Sequence, residues 1–199
     1  MTAQIGWSRV VFHQYVPMSS NVVQVVNAVG GGELGVELQL DKLLADSSFE
    51  YSYESGDSMA YVTISGDLPT VTLFQSGKYS IAGGNSVSQL FEVDGMFRDK
   101  VSEITDFSLE STPEFEIRYL VGIGELGNEV DLSIIFKELP SDKVEYEPEQ
   151  FPGLFYRPSK ETTITVFSTG KVSVNGPRSE EALQKEFTRL KDKLDNIQR

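Results

Sequence analysis

Thr70-Val71-Thr72-Leu73-Phe74 and, beyond Gln75, Ser76-Gly77-Lys78 return as Thr163-Ile164-Thr165-Val166-Phe167 and Thr169-Gly170-Lys171, at a constant spacing of 93 residues. The same spacing carries Tyr53-Glu54 to Tyr146-Glu147, Gly83 to Gly176, Ser86 to Ser179, Leu90 to Leu183 and Asp99-Lys100 to Asp192-Lys193. Upstream it becomes 92, taking Glu33-Leu34-Gly35 to Glu125-Leu126-Gly127. Two copies of this length are too long for stacked solenoid units. They predict two half-domains related by a pseudo-two-fold axis, a form suited to a nearly two-fold partner such as duplex DNA.

Each copy opens on a strand signal, residues 22–29 in the first and 115–121 in the second, and a glycine-rich turn follows, Gly30-Gly31-Gly32 in the first. Leu38, Leu40, Leu43 and Leu44 fit a short amphipathic helix, matched by Val130, Leu132, Ile134, Ile135 and Phe136. Runs rich in Thr, Val, Ile and Phe then read as antiparallel hairpins, broken at Gly66-Asp67-Leu68-Pro69 and Pro158-Ser159-Lys160-Glu161. A longer helix closes each copy. In the second, Ser179 is its candidate N-cap and Leu183, Phe187, Leu190 and Leu194 share one face; in the first it runs from Ser86 through Leu90, Val93, Phe97 and Val101, interrupted by Gly95.

This element order predicts an α+β fold, an antiparallel sheet with helices on one face and the other face open. Strand alternation sends Val71, Leu73, Ile164 and Val166 under the helices, and it sends Thr70, Thr72, Phe74, Thr163, Thr165 and Phe167 to the open face.

Composition narrows the function. The 199 residues hold 17 Lys+Arg against 30 Asp+Glu, a net charge of −13, divided as −8 over residues 1–106 and −5 over 107–199. That balance opposes ordinary polyanion binding and fits either an acidic surface adapted to a high-salt cytoplasm or a partner that is not a polyanion. No apolar run approaches the roughly 18 residues of a membrane span, and residues 1–20 lack the pattern of a signal peptide, so an intracellular soluble protein is expected. With no cysteine and the single histidine His13, no metal site, cofactor or catalytic constellation is expected, and enzymatic activity is not. Neither Gly30-Gly31-Gly32 nor Gly77-Lys78-Tyr79 has the spacing of a phosphate loop.

Tyr146-Glu147-Pro148-Glu149-Gln150-Phe151-Pro152-Gly153-Leu154-Phe155-Tyr156-Arg157 and Val166-Phe167-Ser168-Thr169-Gly170-Lys171 closely resemble the second repeat of the TATA-box-binding proteins, in their archaeal form. Val26-Asn27-Ala28-Val29 and Leu73-Phe74-Gln75-Ser76-Gly77-Lys78 resemble the first. The likeness covers about residues 20 to 196 and implies a 1–20 extension, a first repeat at 21–106 and a second at 107–199, both forming one saddle. Its sheet would be curved, with helices on the convex side and a concave face that opens the minor groove and kinks promoter DNA with inserted phenylalanines.

Carried over by position, the resemblance gives Phe151 and Phe167 as both wedges of the second repeat and Phe74 as one wedge of the first, the fourth place falling on Ser58 beside Met59. Asn27 and Val29 match the central base-reading pair, answered by Tyr119 and Val121. Thr72, Thr165, Ser80, Ser173 and Asn175 face the groove, Lys78, Lys171 and Arg157 keep phosphate-contact places, and Asp67 stands where the family is basic. The loop with Glu147, Glu149 and Gln150 is where transcription factor B would dock. Self-association through the concave face is expected without DNA. A second reading keeps the fold as a protein-interaction or regulatory module with weak or no DNA binding, favoured by Ser58, Asp67, Tyr119 and the acidic balance.

Overall fold

The computed structural model describes residues 22–45, 49–104 and 113–197. The extension at 1–20 and the repeat boundary at 106/107 lie outside the described residues. The first half comprises β1 (Gln24–Glu33), α1 (Leu40–Ala45), β2 (Glu50–Ser52), β3 (Met59–Thr63), β4 (Thr70–Phe74), β5 (Lys78–Gly84) and α2 (Val87–Ile104). The second repeats the order with β6 (Glu116–Glu125), α3 (Leu132–Glu138), β7 (Val144–Glu145), β8 (Gly153–Tyr156), β9 (Thr163–Phe167), β10 (Lys171–Asn175) and α4 (Glu180–Ile197).

All ten strands join one antiparallel sheet in the order β2-β3-β4-β5-β1-β6-β10-β9-β8-β7, which reads the same from either edge once repeat mates are exchanged. The pseudo-two-fold axis is visible in the central pairing. Ala28 lies opposite Leu120, its own mate at spacing 92, and Asn27 and Val29 lie opposite Val121 and Tyr119.

The α+β expectation holds, with the helices on a single face. Val71, Leu73, Ile81, Ile164, Val166 and Val174 are almost wholly buried with Leu90, Val93 and Phe97 of α2 and Leu183, Phe187 and Leu190 of α4. Both long helices start as read: the Ser179 hydroxyl accepts from the Ala182 N–H at 3.1 Å and the Ser86 hydroxyl from the Gln89 N–H at 3.2 Å. The repeated Ser/Thr-Gly-Lys turn has a steric cause. Gly77 and Gly170 have φ of 79° and 82°, and a Cβ on either would stand 2.0 or 2.2 Å from the carbonyl oxygen of Val36 or Asn128.

Gly30-Gly31-Gly32 is not a turn but the end of β1. Its glycines make room for aromatic rings of the core: a Cβ on Gly30 would lie 2.2 Å from the Phe115 ring, and one on Gly32 would lie 2.3 Å from the Tyr79 hydroxyl. The chain reverses later, at Gly35 and Gly127.

The two cores differ beneath the sheet. In the first half the buried Tyr79 hydroxyl donates to Asp94, whose Oδ1 also accepts from Arg98 Nε at 3.2 Å. Burial, reinforced by the Asp94 carboxylate, raises the Tyr79 pKa above the ordinary phenol value. The mates of Tyr79 and Asp94 at spacing 93 are Val172 and Phe187, both buried, and that of Arg98 is Lys191, so apolar side chains stand where the first half buries a phenol and a carboxylate.

Candidate nucleic-acid interface

The side chains that alternation sends away from the helices form a continuous surface across the sheet. Phe74, Phe151, Phe155, Phe167, Met59 and Tyr61 all lie outside the hydrophobic core, and Phe151 and Met59 are 37% and 39% exposed. Val29, buried next to Ala28 in β1, points to the opposite face from it.

In the second half three rings converge. Phe151 stacks on Phe155 at 4.9 Å between centroids and tilts against Phe167 at 5.9 Å. Gly153 makes this possible, because a Cβ there would stand 2.6 Å from the Phe151 ring and 3.2 Å from that of Phe167. Arg157 lies with its guanidinium 5.7 Å from the Phe155 centroid and bonds Glu145 at 2.9 Å. The sequence reading missed Phe155. Its signal was its place two residues after Gly153 on the same face of a strand.

The first half departs from this arrangement because its strand register shifts. Met59 pairs with Phe74 where Gly153 pairs with Phe167, so the spacing across β3 and β8 is 94 (59 to 153). The Asp57 N–H donates to the Glu54 carbonyl as the Gln150 N–H donates to that of Glu147, so spacing 93 still holds at Asp57 and Ser58 alone answers Phe151-Pro152. The loop before β3 is one residue shorter than that before β8 and the β3–β4 connection one residue longer, so spacing 93 resumes at β4. Cross-strand hydrogen bonding decides such a register, and identical flanking motifs conceal two compensating changes. Met59 is the mate of Gly153, Tyr61 is the mate of Phe155, and Ser58 stands where the second half has Phe151-Pro152.

At the axis, Asn27 and Tyr119 are mates. The Asn27 Oδ1 accepts from the Gly83 N–H at 3.1 Å, which leaves the amide NH₂ as a donor facing out, whereas Tyr119 presents a phenol and is 37% exposed. Val121, Thr72, Thr165, Ser80 and Ser173 are half-buried on the same face, and Asn175 is exposed. Lys78 and Lys171 are exposed, each directly opposite a glutamate in the ladder, Glu33 and Glu125. That symmetric opposition was not read from the sequence and dilutes the positive charge at both places. Asp67 is exposed in the β3–β4 connection.

β1 and β6 each carry a bulge at equivalent places. The register steps from Val25/Gly122 to Asn27/Val121 past Val26, and from Val29/Tyr119 to Gly30/Ile117 past Arg118. A bulge re-aims its extra residue, so Val26 in one half and Arg118 in the other join the open surface.

The loop before β8 folds as one turn. The Gln150 and Phe151 N–H groups donate to the Glu147 carbonyl at 2.9 and 3.0 Å, and the Gln150 side-chain amide donates to the Glu147 carboxylate. Glu149 is exposed. Among the described residues, no group of three His, Cys, Asp or Glu is placed to hold a metal ion, and no helix is long and apolar enough to cross a membrane.

The family profile described as transcription factor TFIID, or TATA-binding protein, matches residues 22–104 and 114–197. TATA-box-binding protein C of Halobacterium salinarum is 32% identical over 178 residues, covering 88% of this chain and 98% of that protein. TATA-box-binding protein 1 of Methanosarcina acetivorans is 28% identical over 182 residues, covering 90% and 98%. The solved structure of Methanococcus jannaschii TBP superposes with a TM-score of 0.72 at 27% identity, covering 88% of this chain and 99% of that one. The open sheet is thus the underside of the same saddle.

Proposed function

The chain belongs to the TATA-binding protein family, of archaeal type, and from that premise we propose that it is a transcription initiation factor that binds and bends promoter DNA through the minor groove and recruits transcription factor B. One observation carries the reading: the convergence of Phe151, Phe155 and Phe167 on a sheet face that no second layer covers among the described residues. Apolar rings left in water on a folded surface are the signature of a partner site. Rings of this size, inserted at a base step, offset the few kcal/mol that unstacking costs. Arg157 and Lys171 flank them for phosphates, Asn27, Tyr119, Val29 and Val121 meet base edges at the centre, and the Glu147–Gln150 turn presents carboxylates to a basic protein surface. Without DNA, the same face would pair two copies of the chain.

A second reading, a saddle used on protein with weak or no DNA binding, is favoured by Ser58 at a wedge place and by the glutamates opposite Lys78 and Lys171. A mobility-shift titration on TATA-containing and scrambled duplexes from low to molar potassium salt separates the two. The DNA reading expects a TATA-dependent shift that weakens little, or strengthens, as salt screens the acidic surface. A basic protein with 6 to 10 phosphate contacts loses about a thousandfold or more between 50 and 200 mM. No shift at any salt concentration would establish the second reading.

A further inference from the structure

We infer that the second half of the saddle carries a phosphodiester seat, built on the β6 bulge, that the first half lacks. The inference rests on the DNA reading above. A shallow cavity of about 250 Å³ opens where β6 and β10 meet, lined by Arg118, Tyr119, Glu161, Asn175, Gly176 and Arg178. The bulge turns Arg118 toward the open face beside Tyr119, and Arg178 approaches from the turn leading into α4. Two guanidiniums therefore converge on one opening next to the pseudo-two-fold axis. Planar guanidinium forks fit a phosphodiester's paired oxygens, and the Tyr119 hydroxyl and Asn175 amide add uncharged donors.

Two carboxylates oppose the anion. Glu116 bonds Arg118 at 3.2 Å with both side chains more than half exposed, and Glu161 stands on the rim. An exposed pair of that kind is worth about 1 kcal/mol or less, so a phosphate held by two arginines displaces Glu116. The cavity is open to solvent, which suits a group on a polymer backbone rather than a small enclosed ligand. In the first half the mates of Arg118, Asn175 and Arg178 are Val26, Ala82 and Asn85, and no cation stands at any of the three places. The half that keeps both ring wedges also holds the seat, so the two kinds of contact tighten together on the same stretch of duplex.

Replacing the seat by its first-half counterparts tests this in the full chain. Arg118→Val and Arg178→Asn are each expected to weaken binding to a TATA-containing duplex about tenfold at low salt, as loss of one charge-assisted hydrogen bond does. Each should move the slope of log affinity against log salt by about 0.9, the amount belonging to one phosphate. The reverse transplant, Val26→Arg with Asn85→Arg, should move the slope by about twice that in the opposite direction. A methylphosphonate scan of the duplex adds a position: neutralising one phosphate should cost the parent about tenfold and the Arg118→Val protein nothing. Tight binding with unchanged slopes, or losses that add at every phosphate, would overturn the seat and leave the DNA reading standing. No binding by the parent at any salt concentration would remove that reading and the seat with it.

Discussion

The two halves share one topology and nearly one spacing, yet they solve the open face differently. The second half spends a glycine at Gly153 so that Phe151 and Phe167 can meet, and it places Arg157 and Arg118 nearby. The first half has Met59 in the glycine's place, Ser58 in the ring's place and Val26 on the bulge. Beneath the sheet the polarity reverses, for the first half buries Tyr79 on Asp94 where the second packs Val172 on Phe187. A duplicated fold constrains the residues that hold strands and helices together. The surface facing a partner is free to diverge, because substitutions there cost little folding energy.

The largest expected contrast lies in the loops before β3 and β8. Reversing charge at Glu147 and Glu149 together should weaken the ternary complex with transcription factor B and DNA by a hundredfold or more, since losing one partner of an interfacial charge pair costs about 2–5 kcal/mol. Binary DNA binding should stay intact or improve. The same reversal at Glu54, the mate of Glu147, should change neither, and gel shifts with and without the factor read both. A ternary complex that survives reversal at Glu147 and Glu149 would show that the loop has lost its partner.

Next in size is the wedge contrast. Phe167→Ala should lower the bend angle and cost about 2 kcal/mol of affinity, because it removes inserted surface that offsets unstacking and also undocks Phe151. Phe74→Ala, with no ring mate, should cost less. Energy transfer between duplex ends reports the angle, and equal losses from the two substitutions would break the comparison. Its converse sharpens it. Met59→Gly with Ser58→Phe recreates the second-half arrangement in the first and should increase the bend, whereas Ser58→Phe alone should do little because Met59 occupies the space.

The smallest effect concerns the cores. The folded Tyr79 pKa is raised, so its contribution is fully present below the ordinary phenol value of about 10 and is lost as pH rises through the folded value. Urea unfolding between pH 9 and pH 12 should therefore show stability falling in the parent more steeply than in Tyr79→Phe. At neutral pH that variant should be about 1 kcal/mol less stable. Parallel pH profiles would mean the phenol titrates as an exposed one.

Alternation at Thr70 to Phe74 and Thr163 to Phe167 was enough to assign both faces of the sheet, because side-chain direction along a strand follows from the backbone alone. Capping residues placed both long helices for the same local reason. The one-residue difference beside the first wedge was not legible. Spacing 93 holds on both sides of it, and only the pairing of Met59 with Phe74 shows that β3 and β8 run at 94.

The sequence by itself determined the duplication, the α+β layering and the family, since these depend on periodicity and on motifs that survive in linear order. Tertiary structure alone decided that Gly30-Gly31-Gly32 is strand, that Met59 stands across from the Phe74 ring, that glutamates oppose Lys78 and Lys171, and that Val26 and Arg118 turn to the open face. Each of these depends on which residue lies opposite which across hydrogen-bonded strands. A one-residue step in that ladder changes the partner and can change the face, while the local sequence looks the same.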